Sequence, residues 1–329
     1  MTMNDLAIFT GRAHPQLAHD ICAHLTMDIG KAQVFEFKNE NVFVKIEENV
    51  RGRDVFVVQP WCSPVNTSII EMLIMLDALK RASARRITAV IPYYSYGRTD
   101  KKDQPRVPIT ARMLADCVTS AGANRVLTMD LHAGQIQGFF NVPVDEMTAQ
   151  KHLIRHFQSL DLGKVTVVAT DTGFAKKARN FAEELNAPLA IVEKRRVGNN
   201  DDSAESLGLI GSVRGRCAII VDDEVDSAGT MVKAAELVQR EGALDLWACA
   251  THGVLSGDAV DRIQASPLRE MVITDTIPLP ENKRRSKIQV LSVADLFAGA
   301  IKRIHLEQSV SELFNSHGSS IGVQLGTDD

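Results

Sequence analysis

Short apolar runs rich in β-branched residues recur along the chain and alternate with stretches of helical period. LAIFT (6–10), DVFVVQ (54–59), ITAVIPY (87–93) and RVLTMD (125–130) have the length and composition of buried strands. Between them, 64–83 carries Ile69, Ile70, Leu73, Ile74 and Leu76 on a helix-like pattern, and 109–120 is opened by Pro108. The rhythm then repeats. KVTVVAT (164–170), LAIVEK (189–194), CAIIVDD (217–223), LWACATH (246–252) and EMVITDT (270–276) predict strands, separated by helical stretches at 174–185, 229–241 and 292–308. Strands alternating with helices predict βαβ units and mostly parallel sheets. VFEFKNENVFVKIEENVRG (34–52) is the exception, its alternation around Asn39–Asn41 predicting a hairpin. There is no exact internal repeat, only two halves of like rhythm. They join near VPVDEMTAQ (142–150) with no low-complexity linker, so tight packing is expected; the small, polar tail 318–329 is expected to fray.

A length of 329 residues agrees with about two domains. Hydrophobic residues at 45% and charged residues at 24% exclude disorder, collagen and coiled coil. With 37 basic against 41 acidic residues the net charge is −4, too mild for bulk attraction to nucleic acid or an anionic membrane. Any anion-binding patch is therefore local. No apolar run comes near the roughly 18 residues of a transmembrane span, and the opening MTMNDLAIFTGR lacks the pattern of a signal peptide. The five cysteines (22, 62, 117, 217, 249) are scattered without a CxxC, which disfavours zinc sites and disulfide scaffolds. A cytoplasmic protein is expected.

The strongest chemical signal is CAIIVDDEVDSAGT (217–230). An apolar strand runs into Asp222 and Asp223, and the turn Asp226-Ser227-Ala228-Gly229-Thr230 opens a helix. Such a turn presents free backbone N–H groups and a positive dipole end, which suits a phosphate. Ser227 and Thr230 add hydroxyl donors, Gly229 permits close approach, and the paired aspartates can accept hydrogen bonds from vicinal hydroxyls. The bland alternative is an acidic, well-capped strand–helix turn. His132 follows the strand 125–130 and can serve as a cation or phosphate ligand, or as a structural histidine. Asp171 ends the strand 164–170, where a ligand role competes with an N-cap. Lys194, Arg195 and Arg196 precede a flexible polar run and read either as a solvated cluster or as a loop that stabilises phosphoryl charge. Arg98, just past the strand 87–93, fits a triphosphate clamp. No Walker loop, GxGxxG or HExxH occurs, and the remaining histidines read as surface or packing residues. Arg85–Arg86 and Lys283–Arg285 read as solvated faces.

Segment 217–230 resembles the phosphoribosyl-pyrophosphate motif of the phosphoribosyltransferase fold. DLHAGQIQGFFNVPVD (130–145) narrows the match, for it resembles the signature segment of the ribose-phosphate pyrophosphokinase family. YGRTDKKDQPRVPITAR (96–112), EKRRVGNN (193–200) and SVSELF (309–314) match in place and order, so the resemblance runs over about residues 5 to 315. It implies an α/β fold of two similar phosphoribosyltransferase-type domains, 1–147 and 148–302. Each is a doubly wound, mostly parallel sheet, and 303–317 returns to the first. It further implies transfer of the diphosphoryl group of ATP to the C1 hydroxyl of ribose 5-phosphate, giving AMP and 5-phosphoribosyl 1-diphosphate for nucleotide, histidine and tryptophan biosynthesis. ATP would meet Phe37, Asn39, Glu40, Asn41, Arg98, Thr99 and His132. Ribose 5-phosphate would meet Arg196, Asp222, Asp223, Asp226, Ser227, Ala228, Gly229 and Thr230. Lys194 and Arg196 are implied as catalytic, and His132 and Asp171 as ligands of Mg²⁺. The family resemblance also implies a hexamer built from dimers, a hairpin reaching a neighbour's site, and control by phosphate and ADP.

Three departures stand out. Asp171-Thr172-Gly173-Phe174 replaces the usual Asp-x-Gly-Gly, and Thr99 replaces a glutamine. Phe37-Lys38-Asn39-Glu40-Asn41 stands where Phe-Ser-Asp-Gly-Glu is common, so two acids have become amides. Two rivals remain. A nucleobase phosphoribosyltransferase would not need the 130–145 segment, the hairpin or a nucleotide clamp. A catalytically inactive binding relative should have lost His132, Lys194, Arg196 or the 226–230 turn, and all are present.

Overall fold

The computed structural model describes residues 2–197 and 204–315, without the side chains of 194–197, 204–206, 314 and 315. The first half runs β1 (Leu6–Thr10), α1 (Pro15–His24), β2 (Ala32–Glu36), β3 (Val42–Ile46), β4 (Asp54–Val58), α2 (Val65–Arg81), β5 (Arg86–Ile91), α3 (Thr110–Ala121), β6 (Arg125–Met129) and β7 (Val144–Met147). Five of these strands form a parallel sheet in the order β1-β4-β5-β6-β7, while β2 and β3 pair as a separate antiparallel hairpin. All five residues of β4 are buried, as expected of a strand covered on both faces.

The second half runs α4 (Gln150–Gln158), β8 (Val165–Ala169), α5 (Ala175–Glu184), β9 (Leu189–Val197), β10 (Ala204–Ile210), β11 (Cys217–Val225), α6 (Gly229–Arg240), β12 (Asp245–Gly253), α7 (Ala259–Ala265), β13 (Glu270–Thr274) and β14 (Ile288–Leu291), then α8 (Ala294–His305) and α9 (Glu312–Asn315). Its sheet has the order β10-β9-β8-β11-β12-β13-β14, parallel except at the β9–β10 edge. Helices pack on both faces of each sheet. In the first, residues of α2 and α3 cover Val55, Val57 and Ile91, and residues of α1 and α8 cover Ile8, Phe56 and Val58. The α/β class with parallel sheets is the one expected from the sequence.

Several details differ. The segment returning to the first sheet begins at Val293 rather than about 303, because Phe297, Ile301 and Ile304 need cover and find it with Leu17 and Ile21 of α1. Arg86 is not a solvated face. Its Nε and Nη2 donate to the two oxygens of buried Asp54 at 2.8 and 2.6 Å, and His305 Nδ1 lies 2.8 Å from Asp54 Oδ2. Strand β9 continues past Lys194, placing that residue opposite Leu207 and Arg196 opposite Glu205. No described helix is long and apolar enough to cross a membrane.

Candidate active site

Strand order reverses in the second sheet between β8 and β11, and both strands deliver residues to the crevice at their carboxyl ends. The apolar run CAIIV makes β11 a buried strand, which continues through Asp222 and Asp223 to Val225. Thr170, just past β8, donates its hydroxyl to Asp222 Oδ2 at 2.6 Å. Asp223 Oδ2 lies 2.9 Å from His132 Nδ1, which comes from beyond β6 of the other half. The two aspartates diverge. Burial, then the neighbouring Asp223 charge, pushes the Asp222 carboxyl up. Burial is the largest influence on the Asp223 carboxyl and acts to raise it, but the hydrogen bonds with His132 and Asp222, together with the nearby His132 and Lys177 charges, push it down on balance. The bond to Asp223 raises the His132 imidazole.

After β11 the chain turns through Asp226-Ser227-Ala228. Ala228 adopts a left-handed conformation with φ 60°, and α6 starts at Gly229. The turn is braced from behind by Leu255 N–H to Val225 O and Ser256 N–H to Asp226 O, each at 3.0 Å, and by Arg262 Nη1 donating to Ser227 O at 3.1 Å. The backbone N–H groups that open a helix have no partner within it, so this turn, at the carboxyl edge of the sheet, has the form of an anion cradle. Ser227 and Thr230 are exposed on it.

Arg98 reaches this region from the first half. Its Nε lies 2.5 Å from Glu224 Oε1 and its Nη1 4.0 Å from Asp226 Oδ2. Gly97 makes room for His132, since a Cβ there would come within 3.3 Å of the His132 Cβ. Thr99, expected beside ATP, spends its hydroxyl on Tyr96 O at 2.7 Å and closes its own turn. The structure therefore brings Arg98, His132, Asp222, Asp223 and the 226–230 turn together across the seam. Asp171 is exposed at the end of β8, where Oδ1 accepts the Phe174 N–H at 2.9 Å. Phe174 packs against the second core, so it supports the loop rather than opening it.

Phe37, Asn39, Glu40 and Asn41 form the tip of the β2–β3 hairpin, which spans 32–46 rather than 34–52. Glu40 has φ 67°, and Asn41 N–H donates to Asn39 Oδ1 at 3.3 Å. Exposed Phe37 and Phe35 stand with Phe43 in an aromatic cluster, with ring centroids 4.8–5.8 Å apart. The side chains of Lys194 and Arg196 lie outside the described ones.

Among the described residues, no group of three or more His, Cys, Asp or Glu is placed to hold a metal ion unaided. Magnesium needs no such cage, because it is commonly held by one or two side chains plus substrate phosphates and water. Exposed Asp171 fits that role. So does His132, whose Nδ1 is fixed by a carboxylate, leaving Nε2 for a ligand.

The sequence pattern does not single out Glu224, Tyr93, Lys177 or His252. Yet Lys177 Nζ donates to Leu131 O at 3.1 Å and lines a cavity of about 230 Å³ with Asp130, Glu146, Asp222 and Asp223. Only the acidic run at 222–224 hinted at Glu224.

Two parallel-sheet units, with a carboxylate pair, a phosphate-type turn and a cross-seam arginine meeting at strand ends, define an α/β enzyme of the transferase class. Two family descriptions match the chain: "N-terminal domain of ribose phosphate pyrophosphokinase" over residues 6–122, and "Phosphoribosyl synthetase-associated domain" over 200–315. The ribose-phosphate pyrophosphokinase of Caldanaerobacter subterraneus is 54% identical over 312 residues, covering 94% of this chain and 98% of the relative. That of Clostridium acetobutylicum is 50% identical, covering 94% and 97%. The crystal structure of phosphoribosylpyrophosphate synthetase from Mycobacterium smegmatis superposes with a TM-score of 0.87 at 41% identity, over 92% of this chain and 99% of that one. The chain belongs to the ribose-phosphate pyrophosphokinase family.

Proposed function

We propose that the protein transfers the diphosphoryl group of ATP to the C1 hydroxyl of ribose 5-phosphate, releasing AMP and 5-phosphoribosyl 1-diphosphate, in the cytoplasm and for nucleotide, histidine and tryptophan synthesis. The observation that carries this reading is the meeting of Arg98 and His132 of one half with Asp223 and Asp226 of the other. Two substrates can thus be held face to face across the seam. The sugar lies on the second half, with its 5-phosphate on the 226–230 turn and its hydroxyls on Asp222 and Asp223. ATP lies on Arg98 and His132, with Phe37 from the hairpin of a neighbouring subunit stacking on the base. The C1 hydroxyl oxygen attacks the β-phosphorus in line, its proton passes to solvent, and the bond from the β-phosphorus to the oxygen it shares with the α-phosphoryl breaks as AMP leaves. Lys194 and Arg196 stabilise the charge that develops on the transferred group. Magnesium, held by His132 and Asp171, would offset phosphate charge when bound. No covalent enzyme intermediate is needed.

The chain is read as two units, 1–147 and 148–292, with the segment from Val293 returned to the first. By its family it assembles as a homo-oligomer, a hexamer built from dimers, in which the hairpin tip with its exposed aromatic cluster completes a neighbour's nucleotide site. Phosphate and ADP are its regulators. The test is AMP release that requires ribose 5-phosphate. Lys194→Ala should lower kcat by roughly 100-fold with little change in KM. A variant that keeps most of its turnover contradicts the role of Lys194, and AMP release indifferent to the sugar contradicts the function.

A further inference from the structure

We infer that Glu224 is the positioning residue of the nucleotide clamp, holding Arg98 by one edge so that the rest of its guanidinium faces the triphosphate. The inference rests on the proposed role of Arg98 toward ATP and deepens it.

Glu224 is the penultimate residue of β11, in register with His252 of β12. Its side chain is 9% exposed, whereas that of Arg98 is 55% exposed. Both carboxylate oxygens are engaged. Oε1 pairs with Arg98 Nε at 2.5 Å, and Oε2 accepts the Tyr93 hydroxyl at 3.4 Å. Burial first, and the Glu224 charge second, keep the Tyr93 phenol protonated and therefore a donor. The Tyr93 ring also packs on His252, with centroids 4.9 Å apart. The floor of the cleft thus fixes Glu224 on one side and Tyr93 on the other.

A guanidinium carries five N–H donors in a planar fork. With Nε committed to Glu224, the two Nη groups are left for the cleft, and Nη1 already points toward Asp226 at 4.0 Å. A carboxylate in the cleft could instead compete with ATP phosphates for the arginine. Burial decides between these roles. Pulling Arg98 away would strand a nearly buried carboxylate with a single hydroxyl partner, and an uncompensated buried charge is strongly unfavourable. The pair therefore persists when an anion arrives, and the phosphates meet the Nη edge. Because Arg98 follows β5 and Glu224 lies near the end of β11, the clamp also spans the seam between the halves.

The experiment is calorimetric titration with ATP and magnesium in the absence of ribose 5-phosphate, on the full chain, together with steady-state constants. Glu224→Ala should weaken ATP binding about tenfold while leaving the KM for ribose 5-phosphate within about twofold. Glu224→Gln keeps an acceptor for Nε and should limit the loss to about threefold. Arg98→Ala should match Glu224→Ala, and the double variant should be no weaker than Arg98→Ala, since both act through one contact. Should Glu224→Ala not fold, Glu224→Met supplies the same comparison. Unchanged or tighter ATP binding in Glu224→Ala, or losses that multiply in the double variant, overturns the inference. An Arg98→Ala that binds ATP normally overturns the nucleotide role of Arg98 itself. An Arg98→Ala loss without a Glu224→Ala loss overturns the positioning alone.

Discussion

Asn39 shows how much one hydrogen bond changes the meaning of a residue. From sequence, the amides Asn39 and Asn41 could flip to suit either purine, where a carboxylate only accepts. In the structure Asn39 Oδ1 accepts the Asn41 N–H at 3.3 Å, so its oxygen faces the backbone and its NH₂ faces outward. An outward donor is poorly matched to the adenine amino group and well matched to a carbonyl, so ATP should be favoured over GTP only weakly. Restoring acceptors in Asn39→Asp/Asn41→Glu should raise the ATP:GTP ratio of kcat/KM about tenfold, as expected when a wrong base leaves a buried polar group unpaired. A ratio that stays level or falls contradicts the assignment of the hairpin to the base. Residue types at the site were legible in the sequence, but partners were not. The pairing of Asp223 with His132, 91 positions away, and of Glu224 with Arg98 depends on which strand ends face each other.

The turn from β11 into α6 was legible because all its parts are local: an apolar run, two carboxylates, then small residues opening a helix. Its function is tested by Asp226→Ala and Thr230→Val. Each should raise the KM for ribose 5-phosphate about tenfold and that for ATP less than about twofold; the reverse pattern would exchange the two substrate sites. Elements that depend on distant partners were harder to see. β10 and the end of β9 are rich in charged and small residues, and only their antiparallel pairing makes them strands. The helical period of α8 was visible, yet nothing local shows that its apolar face seats on the first sheet rather than the second.

Across the whole molecule, the histidines read as ordinary packing residues turn out to fasten distant segments. His252 Nε2 lies 3.1 and 3.2 Å from Met129 O and Asp130 O, and His14 Nε2 lies 2.9 Å from Asp275 O, both contacts crossing between the halves. His305 joins Asp54 to Thr2 O at the base of the first sheet. At His14 the Leu17 N–H donates to Nδ1 at 3.4 Å, so the folded protein uses a neutral ring. Burial pushes the His14 pKa below 6.5, against the opposing pull of Asp275. The unfolded chain then takes up a proton that the folded chain resists, so the stability tied to His14 is intact above that pH and is lost as the pH falls below it. Thermal midpoints should therefore drop more steeply from about pH 7.5 to about pH 5.5 in the native protein than in His14→Asn, which keeps a helix-capping acceptor. Equal slopes would remove His14 from the pH response.

The function proposed above puts the sugar on one half and the triphosphate on the other, with attack at the β-phosphorus. ³¹P NMR of the protein turning over ATP and ribose 5-phosphate with magnesium reads that choice directly. The account predicts AMP and a sugar 1-diphosphate in equal amounts. Appearance of ADP with a sugar bisphosphate, the products of attack at the γ-phosphorus, would contradict it.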